Sequence, residues 1–270
     1  MLRCGAVPAY VFVAMSECSS ILAVTCLNDW SFACCVRGLR SESGIYQEVF
    51  VADSQVLNFG TGAYGGSRSE MLPFVPTSPG VCLEVGCYAG EFAESVINRG
   101  GVGEYWALEW NGKVAAQARK RGVDKIVEGD AQQNIDALPS GYFDTVICND
   151  ILEHLVDPFL FMDSMRRTLK PGATVIASLP NVRYHRNLKE LLFGRQWQYK
   201  DEGILDRTHL RFFTELSLRA LFEPYGYEIQ EVTGINGSRS HWLKLLSWMT
   251  FGGTQDLRYL QFAVVAKSPD

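Results

Sequence analysis

The run Val81-Cys82-Leu83-Glu84-Val85-Gly86-Cys87-Tyr88-Ala89-Gly90-Glu91-Phe92 constrains this chain more than any other stretch. An apolar segment ends near an acid, turns on glycine and enters residues 92–97, where apolar side chains recur at helical spacing. That order describes a buried parallel strand, a tight turn and a helix N-terminus. It is the nucleoside- or phosphate-binding end of an open α/β sheet. A glycine turn alone can also serve nothing more than close helix packing. The segments that follow decide between the two.

Residues 105–110 form a second apolar strand carrying Glu109, 25 positions after Glu84. A carboxylate near this distance is where such sheets hold two ribose hydroxyls. A third strand, residues 125–128, runs into Gly129-Asp130-Ala131. A fourth, 143–148, runs into Asn149-Asp150 and then Ile151-Leu152-Glu153-His154-Leu155. After Leu169-Lys170-Pro171-Gly172 comes a fifth, 174–179, closed by Pro180-Asn181. Together these residues resemble the class I S-adenosylmethionine-dependent methyltransferases, over roughly residues 78–268.

The resemblance implies an α/β fold, a doubly wound, seven-stranded, mostly parallel sheet of the Rossmann-like methyltransferase type. It places the last strand, 259–267, antiparallel between the fifth and a sixth at 227–233. It also implies S-adenosyl-L-methionine as cofactor. Gly86 and Gly90, with Cys87 in the same loop, would line the methionine moiety, and Glu84 would stiffen that loop and reach the methionine amino group through water. Glu109 would take the ribose, Trp110 would pack on the adenine, and Asp130 with Ala131 would meet its amino group. Asn149 and Asp150 would close the pocket. One departure stands out: Tyr88 occupies a loop position where the family usually carries glycine, which narrows the methionine end.

With 270 residues, 47% of them hydrophobic and 20% charged, the chain has ample core for one large domain plus an appendage. A net charge of −5 argues against a nucleic-acid partner. Five of the 8 cysteines crowd the first 35 residues, no C-x-x-C pair occurs, and Cys82, Cys87 and Cys148 read as small buried thiols of a reduced, cytoplasmic protein. The apolar start is broken by Pro8, Ser16-Glu17 and Ser19-Ser20, short of the ~20 residues a transmembrane segment needs.

Within the start, a strand is expected at 20–26, a helix at 31–40 and a strand at 46–53. With Asn28 and Asp53 at the strand ends this resembles the opening unit of family-2-type glycosyltransferases. It is too short to be one, and a structural appendage is preferred. The glycine-rich stretch 60–69 reads as a linker. Residues 1–70 are therefore assigned to an appendage and linker, and 71–270 to the methyltransferase domain. Residues 181–213, rich in Arg, His, Tyr and Trp, form an acceptor cap overhanging the pocket.

Methyl transfer from a sulfonium needs donor and acceptor aligned, and a base where the acceptor is a hydroxyl. His154, at the end of the fourth strand, and His209, in the cap, are the candidate catalytic residues. An alternative gives them local capping and acceptor-binding roles. The expectation is a site without metal. Even so, Asp150-x-x-Glu153-His154 with a distant His209 resembles the ligand pattern of metal-dependent 2′-O-methyltransferases acting on small-RNA ends, and ubiquinone O-methyltransferases carry a similar Glu-His.

Leu179-Pro180-Asn181 and 206–213 resemble bacterial glycan- and lipopolysaccharide-associated enzymes. They favour an O-methyltransferase acting on a sugar hydroxyl of a glycan or nucleotide sugar. A natural-product or quinone-like small molecule is the alternative acceptor, and a non-catalytic partner of a glycosyltransferase the alternative role. The apolar helix at 241–251 is either core or a contact surface, so a homodimer is allowed.

Overall fold

A computed structural model describes residues 66–269 and the strand residues 39–41 and 44–46. The chain divides into two compact units, 1–58 and 59–270. In the first, β1 (Leu39–Ser41) pairs antiparallel with β2 (Gly44–Tyr46). Leu39 and Arg40, expected to close a helix, are strand residues because the return strand takes up their backbone groups. The other expectations for residues 1–38 and 47–65 lie outside the described residues.

In the second unit seven strands form one sheet in the order β5-β4-β3-β6-β7-β9-β8. These are β3 (Gly80–Val85), β4 (Val102–Glu109), β5 (Lys125–Glu128), β6 (Phe143–Asn149), β7 (Leu169–Pro180), β8 (Glu228–Gly237) and β9 (Tyr259–Lys267). β3 to β7 pair in parallel, and β9 runs antiparallel between β7 and β8. This is the expected seven-stranded, doubly wound sheet. Successive crossovers run outward from β3 in one direction through β4 and β5, and in the other through β6 and β7. The crevice where they part, at the carboxyl ends of β3 and β6, is where such sheets bind ligands.

The strands are apolar on both faces because both are covered. Neighbouring residues alternate between two cores, as the two-residue repeat of a strand requires. Leu83, Val85, Val146, Cys148, Val175 and Ala177 enter one core. Cys82, Ile147 and Ile176 enter the other, with Tyr105 and Ala107 of β4. The first core is closed by Phe161, Met162 and Met165 of α4 (Pro158–Arg166) and by Leu218, Leu221 and Phe222 of α6 (Glu215–Phe222). The second is closed by Phe92, Ala93 and Val96 of α1 (Glu91–Arg99) and by Ala118 of α2 (Gly112–Lys120). All three thiols expected in the sheet are buried.

Helix starts follow local chemistry. The side chain of Asn111 caps α2 by accepting from Lys113 N–H, and Asp157 caps α4, with Pro158 in the first turn. Thr214 and Ser217 form a reciprocal capping box on α6. The cap segment leaves β7 at Asn181, which is fully buried and donates to the carbonyls of Asp256 and Tyr259 at 2.8 and 3.0 Å. It contains α5 (His185–Phe193) and then an irregular strap that returns to the body through a bridge between Asn181 and Phe213. α7 (His241–Met249) lies between β8 and β9. Among the described residues no helix is long and apolar enough to cross a membrane.

Candidate active site

The crevice is built from the turns that leave β3, β4, β5 and β6. Gly86 (φ +75°) ends β3, and its N–H donates to Leu108 O at 2.8 Å. A Cβ there would sit 3.1 Å from Ile151 Cδ1. Gly90 (φ +85°) precedes α1, and a Cβ on it would lie 2.8 Å from the Ala118 backbone, so α1 and α2 meet only over glycine. Between them Tyr88 adopts φ +49° and its N–H donates to Glu109 Oε2 at 2.8 Å. Asn111 N–H holds the other oxygen, Oε1, at 3.0 Å. Burial raises the Glu109 carboxyl above its ordinary range while these N–H donors pull it back. Each oxygen keeps a lone pair for a further donor.

At the carboxyl end of β6, both polar side-chain atoms of Asn149 are buried with no hydrogen-bond partner among the described residues. Unsatisfied amides of this kind are filled by a ligand or by water. Asp150 (φ +48°) is held on three sides: Ser178 Oγ donates to Oδ1 at 2.8 Å, Gln261 Nε2 donates to it at 2.9 Å, and Arg68 pairs with Oδ2. Arg68 also donates to Ser178 Oγ at 2.9 Å.

Beyond Asp150, the short turn Leu152–His154 meets the strap of the cap. Leu210 N–H and Arg211 N–H both donate to Glu153 O, at 2.8 and 3.0 Å, and lock the strap against the turn. Asp206, also buried, shapes the strap by accepting from Thr208 N–H and Oγ1. The result brings His209 against His154 with ring centroids 4.7 Å apart and Nε2 4.0 Å from Glu153 Oε1.

Ligand atoms of Glu153, His154 and His209 all lie within 4.8 Å of one another. Glu153 is fully buried and neither carboxylate oxygen has a hydrogen-bond partner among the described residues. Burial lifts its carboxyl to about 8. Burial, then the neighbouring His209, lowers His154 to about 4, and burial also lowers His209. Nδ1 of His154 faces Thr208 O at 3.2 Å and Nδ1 of His209 faces Ile204 O at 2.9 Å. Such carbonyl partners fix the orientation of an imidazole ring.

The sequence matches a family model described as a methyltransferase domain over residues 56–232. The chain belongs to this family. It is an S-adenosylmethionine-dependent methyltransferase. Among curated relatives, a ubiquinone biosynthesis O-methyltransferase from Aliivibrio fischeri is 26% identical over 66% of this chain and 74% of its own. One from Pseudomonas paraeruginosa is 30% identical over 57% of this chain and 66% of its own. Two solved structures share the fold: a methyltransferase from Archaeoglobus fulgidus (18% identity, TM-score 0.53, 75% of this chain and 95% of that one) and a Haemonchus contortus phosphoethanolamine N-methyltransferase with S-adenosyl-L-methionine (16%, TM-score 0.52, 76% and 52%).

The methyltransferase's expected cofactor residues fall around one crevice. Gly86, Cys87 and Gly90 form its loop, Glu109 and the half-exposed Trp110 end β4, and Asn149 and Asp150 end β6. Asp130 caps the short α3 (Ala131–Asn134), its Oδ1 accepting from Gln133 N–H, so Ala131 opens that helix. Glu84 lies inside the sheet, where Oε2 accepts from the Tyr105 hydroxyl at 2.9 Å. Asp150 lies outside the metal-capable group and pairs with Arg68 instead. Sequence reading missed Arg68, Ser178 and Gln261. Arg68 lies in a glycine-rich stretch with no periodicity to mark it. Ser178, a lone hydroxyl at the end of an apolar strand, carried a signal.

Proposed function

We propose that this methyltransferase methylates a hydroxyl group of a small-molecule acceptor, and that Glu153, His154 and His209 are the residues that would hold a divalent cation for that chemistry. The observation that carries this is Glu153: a fully buried carboxylate without a hydrogen-bond partner is costly to keep unless a cation or a proton meets it. Two imidazoles and a carboxylate suit a divalent first-row metal such as Mn²⁺ or Zn²⁺. A bound cation would lower the pKa of the acceptor hydroxyl.

S-adenosyl-L-methionine supplies a methyl group on a sulfonium and leaves as the thioether. The chain's own part is orientation. Glu109 accepts the ribose hydroxyls, Asn149 offers its buried amide to the methionine end, and the cap strap closes over the acceptor and excludes water. As the acceptor oxygen bonds to the methyl carbon, its proton passes to solvent or to a neighbouring base.

The curated relatives are named for ubiquinone biosynthesis, and this favours a small aromatic or quinone-like acceptor over the sugar hydroxyl expected from sequence. The test is methyl transfer to a catechol and to a nucleotide sugar, before and after chelation. We expect transfer to the catechol, lost on chelation and restored by Mn²⁺, Mg²⁺ or Zn²⁺. Undiminished activity after chelation removes the cation and leaves His154 as the direct base. In that case His154→Ala lowers kcat, whereas His209→Ala raises the acceptor KM. Turnover of the nucleotide sugar alone reinstates the glycan reading.

A further inference from the structure

Helix α7 carries its apolar side outward. Of its nine residues only Leu243 is buried. Trp242, Leu245, Trp248 and Met249 are 54%, 57%, 77% and 63% exposed, and Phe251 just beyond is 99% exposed. At helical spacing Trp242, Leu245, Trp248 and Met249 share one side, opposite the anchoring Leu243. Between the helix and the turn after it lies a recess of about 620 Å³, bounded by Lys244, Ser247, Trp248, Met249, Phe251 and Gly252.

A ridge with two tryptophans, a phenylalanine, a leucine and a methionine is far from the isolated apolar residues common on protein surfaces. Along the chain, the charge of this segment is equally one-sided. From residue 232 to 255 there is no Asp or Glu, and Arg239 and Lys244 are the fixed charges, in a chain whose net charge is −5.

We propose that α7 docks this protein on an anionic lipid surface, with Trp242, Leu245, Trp248, Met249 and Phe251 entering the headgroup–acyl boundary and Arg239 and Lys244 meeting lipid phosphates. Trp and Phe favour that boundary, and a basic flank adds attraction to anionic lipid. A second copy of the chain fits less well: a two-fold contact pairs this patch with itself, and residues 232–255 offer no acid to meet Arg239 or Lys244. The recess beside Trp248 is apolar enough to admit part of an acyl chain. This inference does not depend on which acceptor is methylated.

The experiment is flotation of the full-length protein with vesicles of phosphatidylcholine, or of phosphatidylcholine with phosphatidylglycerol, alongside sedimentation equilibrium without lipid. We expect the protein to float with the anionic vesicles and less so as salt rises. Trp248→Glu combined with Phe251→Glu should lower the partition coefficient at least about tenfold with Tm unchanged. Both side chains are exposed, so folding should survive. Arg239→Glu with Lys244→Glu, which leaves all five apolar side chains in place, should lower it severalfold.

Absence of flotation, or flotation equal in native protein and both variants, overturns the proposal. It is also overturned by a lipid-free dimer that the Trp248→Glu change dissociates while flotation stays unaffected, since α7 would then be a face between copies.

Discussion

Glu84 shows what burial does to a single acid. It sits inside the sheet on the Tyr105 hydroxyl, and burial raises its carboxyl to about 8 from an ordinary 4.5, against the pull of the tyrosine bond. The unfolded chain therefore releases a proton near pH 4.5 that the folded chain keeps until about 8. Stability from this group is fully present below pH 4.5 and falls as pH rises through that window, by at most roughly 1.4 kcal/mol per pH unit. Glu84→Gln keeps an acceptor for Tyr105 and cannot titrate. The variant should lose less stability than the native protein between pH 5 and 8, as read from urea midpoints. Equal slopes would mean that Glu84 is ionised in the fold. Spacing alone marked Glu84 and Glu109 as important. It did not separate an acid at the end of a strand beside the crevice from one that faces a tyrosine, because the partner, Tyr105, comes from the neighbouring strand.

At the scale of elements, the α1–α2 contact depends on one glycine. Gly90 holds φ +85°, and any side chain there would press on Ala118 Cα. Gly90→Ala combines backbone strain with displacement of a fully buried helix contact, and should cost about 2 kcal/mol. Chemical denaturation measures this; a loss below about 0.5 kcal/mol would show that the helices part without cost. The same change should weaken cofactor binding, since the loop 86–90 moves with α1. The core strands and α1 could be read from periodicity because each carries its own apolar pattern. α5 and the strap could not. Their shape rests on Asn181 reaching the carbonyls of Asp256 and Tyr259, and on the backbone donors of Leu210 and Arg211 meeting Glu153 O. Those partners lie tens of residues away in sequence.

For the whole molecule, the division between Asn58 and Phe59 and the position of Arg68 make a joint prediction. A fragment of residues 59–270 should unfold cooperatively and bind S-adenosyl-L-methionine like the full chain. One beginning at Ser69 loses the arginine that neutralises Asp150 at the pocket. It should bind about tenfold more weakly, about 1.4 kcal/mol by calorimetry. Equal affinities would make Arg68 dispensable. By itself the sequence determined the α/β class, the strands, the glycine loop and the acids at the strand ends, because these depend on local pattern and on turns of a few residues. Only the tertiary structure decided that Arg68 reaches Asp150 and that Glu153, His154 and His209 form one buried group. It alone also decided that the apolar side of α7 faces outward. Those outcomes depend on which distant surfaces cover one another, and hydrophobic periodicity says that a face is apolar without saying what lies against it.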